Sequence, residues 1–374
     1  MVKASRIAAA AVLTFIGIAV LAYIGSQTNT NDFVEYWSAG KLFVHGANPY
    51  SGPMILALEK TRGFTPAEPL IMLNPPWALF MVAPLGFCSA MGALILWILA
   101  TAGSILASIL LLEIPTEQRG IAFLFAPALA TLTMEQSSPF LLLGFSLFLR
   151  FYKNRPFLAG ASLLLMAIKP HLFLVFWVVL LADCVYRRRF AILVGMTSAL
   201  ICASAFARLV VPHVWQDYFE LLRVSTLDRN LFPTLPVLFR ILVNEKLTWL
   251  ALVPSCVAIL WGTTYYWRKR ALWDWRREGM LVMLTAILTS PYGWIADQVV
   301  LLPAVFSAMN SRPRRFSVEI LVVLNCTALL VFCVSAQLRA WLPLMWFIWY
   351  LYATGKEVKG NSEPGNRSLL PDFS

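Results

Sequence analysis

The sequence predicts an all-α protein that crosses a membrane about twelve times. Of its 374 residues, 59% are hydrophobic and only 13% are charged, whereas a soluble domain carries about 25% charged residues. The cations lie in short clusters between long apolar runs, which is how membrane chains encode their topology. The net charge of +11 is therefore explained by topology and does not indicate a nucleic-acid-binding protein.

Five apolar runs are long enough to span a bilayer, since about 20 helical residues cross a hydrocarbon core of about 30 Å. These runs are residues 7–25, 89–112, 190–211, 247–266 and 317–336. Seven shorter runs lie near residues 120–133, 139–150, 157–168, 172–186, 279–290, 298–310 and 341–354. Because a short run cannot cross alone, we expect these runs to pair around polar, Pro-containing turns at a protein-lined cavity.

The cation clusters predict which side each end of the chain occupies. The run at 7–25 follows Lys3 and Arg6 and is longer than the apolar part of a signal peptide, so we expect an uncleaved first helix. The predicted cytoplasmic clusters are Lys3/Arg6, Arg119, Arg150/Lys153/Arg155, 187–189, 268–277, 312–315 and Lys356/Lys359/Arg367. The positive-inside rule then places both termini in the cytoplasm, with the chain in the inner (plasma) membrane.

This topology divides the chain into a membrane domain, 1–354, and a polar cytoplasmic tail, 355–374, which we expect to be disordered. Two large outer loops are predicted at 26–88 and 212–246. Paired prolines beside Trp77 indicate an interfacial helix in the first loop, and aromatic residues beside charges indicate a second surface element in 212–246. The six cysteines are scattered through apolar stretches, so they predict neither a disulfide framework nor a zinc site.

Polar and ionisable side chains gather on the outer side under this topology. They are Asp32, Glu35, Tyr36, Glu135, Gln136, Lys169, His171, Asp297 and the arginines of 212–246. Charged groups near a bilayer are costly unless they face a cavity or a partner, so they are functional candidates. We therefore expect an outward-facing cavity in which carboxylates and cations lie opposite each other.

Each candidate carboxylate has a structural alternative. Asp32 is expected to act as a general base whose pKa is raised by desolvation, or else to cap a helix or pair with Lys41. Glu35 lies one helical turn further on, where a pairing or orienting role is favoured. Asp297 follows the sequence SPYGW and either orients substrate or pairs with a nearby arginine.

The remaining candidates are Lys169, His171, the Glu135-Gln136 pair and four arginines. Lys169 either faces a cavity as the counter-ion of a phosphate, with His171 beside it, or extends to the surface of the membrane. Glu135 and Gln136 either cap a helix or contact a sugar hydroxyl. The arginines at 208, 223, 229 and 240 are each weak candidates, because arginines near an interface usually bind lipid headgroups.

Four segments, taken in order, resemble glycosyltransferase family 87, the DUF2029 family of the GT-C superfamily. They are NDFVEYWSAGKLFVHGANPY at 31–50, LNPPWALFMVAPLGF at 73–87, MEQSSPFLLLGFSLFL followed by AGASLLLMAIKPHLFL within 134–174, and SPYGWIADQVVLLPA at 290–304. The first is the most specific, with the pattern D-F-x-x-Y-W-x-A-G and then G-x-x-P-Y.

The resemblance implies a GT-C-like helical bundle, a lipid-linked sugar donor and a catalytic aspartate in the first outer loop. That aspartate falls on Asp32, and the lysine of the K-P motif falls on Lys169. The family usually has Gly-Gln where this chain has Glu135-Gln136, and its last motif often ends in Tyr-Asp where this chain has Ala296-Asp297. Mannose is a frequent donor sugar in the family.

A polyprenyl-phosphate sugar carries its own leaving group, so one carboxylate suffices to deprotonate the acceptor hydroxyl of a lipid or glycan. Displacement from the opposite face would invert the anomeric centre. This chemistry requires no cofactor, although Asp32 and Glu35 are compatible with a divalent cation on the phosphate. The alternative is a lipid-linked sugar transporter or flippase, since broken helices with ions at midplane are also transporter features.

Overall fold

The computed structural model describes residues 32–64, 66–225, 232–310, 316–334 and 337–355. Within these ranges the protein is helical and contains no β-strand. The α-helices are α1 (Phe33–Val44), α2 (Gly52–Lys60), α3 (Leu79–Gly86), α4 (Ala90–Leu111), α5 (Arg119–Leu124), α6 (Ala126–Thr133), α7 (Ser138–Phe151), α8 (Pro156–Met166), α9 (Leu174–Tyr186), α10 (Phe190–Val210), α11 (Val214–Val224), α12 (Leu235–Asn244), α13 (Val253–Lys269), α14 (Glu278–Leu288), α15 (Leu302–Asn310), α16 (Ser317–Val334) and α17 (Leu342–Thr354). Short 3₁₀ helices join several of them, at Pro76–Ala78, Thr116–Gln118, Pro170–Phe173, Thr248–Leu252, Arg270–Leu272, Ile295–Leu301 and Gln337–Trp341.

Four helical stretches are long and apolar enough to cross a membrane: Ala90–Leu111, Phe190–Val210, Thr248–Leu272 and Ser317–Val334. They coincide with four of the five predicted long spans. Each leaves most of its residues unburied by the rest of the chain, as expected for helices that face lipid. The protein is thus a membrane protein. The first predicted span, 7–25, and the predicted disordered tail from 356 onward lie outside the described residues, and the total of about twelve crossings stays a prediction.

The shorter helices begin where proline marks their first turn. Pro139, Pro156 and Pro343 each occupy one of the first two positions of α7, α8 and α17, where the missing N–H has no helical partner to lose. The predicted run 120–133 was wrong as a single segment, because it breaks into α5 and α6 at Phe125. Asn325 holds the break: its amide donates to Leu124 O at 2.7 Å and accepts from Ala126 N at 2.7 Å.

Helix α1, which follows Asp32, is held against α3 by two glycines. A Cβ atom on Gly40 would collide with the backbone of Val82, and one on Gly86 would collide with the backbone of Gly40. Only residues without side chains allow the two backbones to approach so closely. Lys41 Nζ donates to Gly86 O at 3.1 Å and closes the same contact. The C-terminal half of α1 is therefore packed closely against α3.

The C-terminal end of α9 contains a fully buried carboxylate, Asp183. It accepts hydrogen bonds from Tyr152 Oη at 2.8 Å, Tyr266 Oη at 3.1 Å and Trp275 Nε1 at 2.9 Å. Arg187 Nε lies 3.0 Å from the same carboxylate. With these partners the acceptor capacity of Asp183 is largely filled, and none of these residues lines the cavity next to Lys169.

Candidate active site

Four turns meet at the opposite end of α9. They are the start of α1 with Asp32, the α6–α7 turn with Gln136, the 3₁₀ turn after Lys169, and the 3₁₀ helix Ile295–Leu301 with Asp297. The residues come from positions far apart in the sequence, but hydrogen bonds join their side chains directly. The structure thus brings together the polar turns that the sequence analysis singled out.

Gln136 is the central link of this cluster. Its Nε2 donates to Asp32 Oδ2, and its Oε1 accepts from Lys169 Nζ at 2.9 Å. Tyr36 Oη lies 3.4 Å from Gln136 Oε1 and 3.3 Å from Ser137 Oγ. A single buried amide therefore connects the carboxylate predicted as base to the ammonium predicted as counter-ion.

Asp297 ends the chain of contacts on the other side. Its Oδ1 accepts from Lys169 Nζ at 2.7 Å and from Ser138 Oγ at 2.7 Å, and its Oδ2 accepts from Trp294 N at 2.9 Å. Lys169 and Asp297 are buried, with 8% and 1% of their side chains exposed. The ion-pair partner of Asp297 is thus Lys169 and not the nearby arginine that one of the two alternatives named. Lys169 does not extend to the surface.

A cavity of about 740 Å³ lies against this cluster. Its polar wall includes Glu35, Tyr36, Gln136, Lys169 and His171. Its other walls are formed by residues of the segment 71–75, α11, α12, the 3₁₀ helix Thr248–Leu252 and the Pro291–Tyr292 turn. Asp32 and Asp297 do not line the cavity themselves. Asp32 is hydrogen-bonded to Gln136, and Asp297 to Lys169, and both of these partners line the cavity.

The alternative roles of Asp32 as a helix cap or as the partner of Lys41 are not what the structure contains. Asp32 makes no side-chain capping hydrogen bond to α1, and Lys41 binds Gly86 O instead. Burial raises the pKa of the Asp32 carboxyl, and the hydrogen bond from Gln136 and the charge of Lys169 oppose that rise. Burial, followed by the negative charge of Asp32, raises the pKa of Glu35 to about 8.

His171 and Glu135 occupy different positions relative to the cavity. His171 lines it and packs on Tyr292, with ring centroids 5.0 Å apart. Its Nε2 is buried and has no hydrogen-bond partner within the described ranges. Glu135 does not line the cavity, its φ is +56°, and its backbone oxygen accepts from Trp97 Nε1 at 2.7 Å. Position 135 is thus a tight turn, and only Gln136 of the predicted pair faces the site.

Arg240 is the residue that the sequence analysis undervalued. It lies on α12, is 2% exposed and lines the cavity. Arg208 lines a separate surface cleft, Arg223 is exposed, and Arg229 lies outside the described residues. The sequence did contain a signal for Arg240, because it is the only charged residue in the helix sequence LPVLFRILVN. Burial of an arginine in such an apolar helix is costly unless polar groups surround its guanidinium.

No grouping of three or more His, Cys, Asp or Glu side chains suited to a metal ion occurs in the part of the chain that the structure describes. The chemistry that the site offers is that of a carboxylate with a raised pKa, a buried ion pair and a second buried cation around one cavity. Such an arrangement fits an anionic substrate with a hydroxyl to be deprotonated.

The described residues form a helical membrane protein with a cavity lined by polar and charged side chains. The family model of glycosyltransferase family 87 matches residues 72–291. The chain is a member of glycosyltransferase family 87, and its family activity is glycosyl transfer between a donor and an acceptor. The matched range includes Gln136, Lys169, His171 and Arg240, whereas Asp32 and Asp297 fall outside it. Searches of the curated proteins and of the solved structures each found no match.

Proposed function

We propose that the protein transfers a sugar, mannose in the first instance, from a polyprenyl-phosphate donor to a lipid or glycan acceptor. Asp32 acts as the general base, and the reaction inverts the anomeric centre. The observation that carries the proposal is the hydrogen-bonded series Asp32–Gln136–Lys169–Asp297 beside a large cavity. The site faces the extracytoplasmic side of the inner membrane in this proposal.

The two carboxylates of the series differ in what neutralises them. Asp297 is paired with Lys169 at 2.7 Å, whereas Asp32 has no ion pair within the ranges that the structure describes and binds a neutral amide. A base must be able to accept a proton, and an ion-paired carboxylate resists protonation. The raised pKa of Asp32 supports its assignment as the base that removes the proton of the acceptor hydroxyl.

The bond between the anomeric carbon and the donor phosphate oxygen breaks as the acceptor oxygen attacks from the opposite face. The electron pair leaves with the phosphate, which becomes a polyprenyl phosphate monoester and needs cations rather than a proton. In this proposal Lys169 and His171, which line the cavity, face the phosphate end of the donor. Glu35, Tyr36 and Gln136 orient the sugar or the base, while Asp297 holds Lys169 in place.

The test is to incubate proteoliposomes containing the protein with polyprenyl-phosphate mannose radiolabelled in the sugar and to analyse the products for a new glycosidic bond. The wild type should form that bond. Asp32→Asn should lower its rate by about 10²–10⁴-fold at equal amounts of folded protein, the usual contribution of general-base catalysis. Asp217→Asn is the matched control, because Asp217 lies on α11 and does not line the cavity.

Full turnover by Asp32→Asn would exclude Asp32 as the base. Label that crosses the membrane without forming a glycosidic bond would instead identify a transporter.

A further inference from the structure

The backbone carbonyls just before Lys169 lie where α8 has ended. Helix α8 ends at Met166, and Lys169 is followed by Pro170, whose nitrogen carries no hydrogen. Pro170 cannot donate to a carbonyl of the preceding turn, so the oxygens of Ala167 and Ile168 need donors from elsewhere in the fold. What supplies those donors also determines where the chain that carries Lys169 lies.

Two side chains from the segment between α2 and α3 are the donors. Trp77 Nε1 donates to Ala167 O at 2.8 Å, and Asn74 Nδ2 donates to Ile168 O at 2.9 Å. Both residues belong to the sequence LNPPW at 73–77, and neither has a role in the proposed function. The two hydrogen bonds join residues 90 and 94 positions apart in the chain, so they fix tertiary structure.

Both donors are themselves held by neighbouring groups. Asn74 is buried, and its backbone oxygen accepts from Tyr50 Oη at 2.9 Å. The backbone N of Tyr50 in turn donates to Asn48 Oδ1 at 2.8 Å. The indole of Trp77 packs on that of Trp215 of α11, with ring centroids 5.5 Å apart. Buried polar groups whose partners are in place hold one geometry, so the two donors present a fixed surface to the turn before Lys169.

The position of Lys169 Nζ depends on this turn. The backbone of Lys169 has a φ of −128° and a ψ of 71°, which lies outside the helical region, so α8 does not set its direction. Its Nζ lies 2.9 Å from Gln136 Oε1 and 2.7 Å from Asp297 Oδ1. A displacement of about 1 Å would take either contact beyond hydrogen-bond distance. The tertiary hydrogen bonds to the two preceding residues therefore determine whether the ammonium reaches both partners.

Resting on the proposed function, we propose that Trp77 and Asn74 are positioning residues for Lys169. They keep its ammonium between Gln136 and Asp297 and directed to the phosphate end of the donor, and they take no part in the chemistry themselves. Loss of either donor should therefore lower transfer through Lys169 and leave a protein that still folds.

The first test compares two tryptophans that make the same kind of hydrogen bond. Trp77→Phe removes the N–H and keeps an aromatic ring, and kcat/KM for polyprenyl-phosphate mannose should fall about 10-fold because Lys169 is displaced. Trp349→Phe is the matched control: Trp349 is buried on α17, its Nε1 donates to Ser317 O at 2.9 Å, and it does not line the cavity. The control should keep its transfer rate per folded molecule. Equal losses in the two variants would overturn the proposal.

The amide has a comparable pair of variants. Asn74→Leu keeps the approximate volume and removes the donor to Ile168 O, so it should lower kcat/KM about as much as Trp77→Phe. Asn325→Leu is its control, because Asn325 Nδ2 donates to Leu124 O at 2.7 Å and does not line the cavity. Transfer by Asn74→Leu at the rate of the control would remove Asn74 from the proposal.

A double-mutant cycle tests whether Trp77 acts through Lys169. Binding of polyprenyl phosphate to the purified protein in detergent is the readout, because it requires no catalysis. Trp77→Phe should raise the Kd about 3- to 10-fold when Lys169 is present, as expected for a weakened hydrogen bond to a charged group. In the Lys169→Met background it should raise the Kd less than about twofold. An equal rise in both backgrounds would overturn the proposal. If Lys169→Met does not fold, the comparison with Trp349→Phe decides with the lysine intact.

Three outcomes distinguish this inference from the proposed function. Wild-type protein that neither binds polyprenyl phosphate nor transfers sugar would refute both. Wild-type protein that binds polyprenyl phosphate but forms no glycosidic bond would refute the transferase activity, and the Kd values of Trp77→Phe and Trp349→Phe would still decide the positioning role. A wild type that transfers sugar, with Trp77→Phe and Trp349→Phe equally active, would refute the positioning role alone.

Discussion

Helix α9 and the 3₁₀ turn before it carry a buried ion pair at each end, and the two pairs differ in what surrounds them. Lys169 and Asp183 flank this segment and lie roughly 20 Å apart along it. Asp183 is enclosed by Arg187 and three aromatic donors. The Asp297–Lys169 pair is instead connected to Asp32 by hydrogen bonds through Gln136, beside the cavity.

Burial of a charged group does not by itself identify a functional site. Both carboxylates are about equally buried, at 0% and 1% exposure for Asp183 and Asp297. What distinguishes the cavity end is a second carboxylate that binds a neutral amide and could exchange a proton. The enclosed end has no such group, so its role is to hold α9 against Trp275 and Tyr266.

Substitution of Asp183 should destabilise the enclosed end of α9 more than any other change considered. Asp183→Asn leaves the Arg187 guanidinium without its carboxylate, and removing one partner of a buried ion pair costs about 3–5 kcal/mol. Thermal or denaturant unfolding in detergent should register that loss, while transfer per folded molecule stays near the wild-type rate. Glu113→Gln is the control: its pair with Arg150 is 59% and 45% exposed, so the free energy of unfolding should change by less than about 1 kcal/mol.

A wild-type melting profile for Asp183→Asn would show that the enclosed cluster does not stabilise the bundle. Loss of transfer by the folded variant would mean that this end also belongs to the catalytic machinery, and the contrast between the two ends would fail.

A second substitution sharpens the role of the linking amide. Gln136→Met keeps the volume but removes the hydrogen bonds to Asp32 and Lys169, so kcat should fall about 10- to 100-fold because the proposed base, Asp32, is no longer held in place. The free energy of unfolding should fall by about 1–3 kcal/mol. Gln298→Met is the matched control: Gln298 is similarly buried, accepts from Trp346 Nε1 at 2.9 Å and does not line the cavity.

The control should show a comparable loss of stability with kcat per folded molecule retained. Equal losses of kcat in both variants would assign Gln136 a purely structural role.

Much of the helical layout could be predicted from the sequence, because hydropathy and cation clusters act locally. The run at 89–112 corresponds to Ala90–Leu111, and the run at 190–211 corresponds to Phe190–Val210. The break at Phe125 could not be predicted, since the side chain that satisfies it, Asn325, lies far along the chain on α16. Periodicity contains no signal for such a tertiary contact.

The candidate site was predictable as a set of residues but not as a set of contacts. The polar turns around Asp32, Gln136 and Lys169 were each visible as charges or amides at the ends of apolar runs. Which cation pairs with Asp297 depends on how the short helices pack: one alternative read from the sequence was a nearby arginine, and the fold supplies Lys169. The position of Arg240 depends likewise on the tertiary placement of α12 against the Pro291 turn.

The pH dependence of stability tests the electrostatics of the cavity end, where Glu35 lies. Burial and the charge of Asp32 raise the pKa of Glu35 from 4.5 to about 8. Between these values the folded protein binds more protons than the unfolded chain, so Glu35 makes stability fall as pH rises through this window. Glu35→Gln should remove at least about 1 kcal/mol of that loss between pH 6 and 8, as measured by denaturant unfolding.

Glu68→Gln is the control, since Glu68 is an exposed carboxylate between α2 and α3. Its pH dependence should match that of the wild type. A pH profile for Glu35→Gln identical to that of the wild type would show that Glu35 is ionised in the folded protein at neutral pH.

Glycine at position 135, in the turn that carries Gln136, should change stability and activity the least. Glu135 has a φ of +56°, a conformation that costs an L-residue about 1–2 kcal/mol, and the family resemblance puts glycine at this position. Glu135→Gly should therefore leave transfer unchanged and raise the free energy of unfolding by no more than about 1 kcal/mol, because glycine also loses more backbone entropy on folding. Glu113→Gly is a close match, as Glu113 has a φ of +58°, follows the end of α4 and does not line the cavity. If Glu135→Gly loses transfer while Glu113→Gly keeps it, the carboxylate at 135 contacts the substrate and the site extends beyond the cavity wall formed by Gln136.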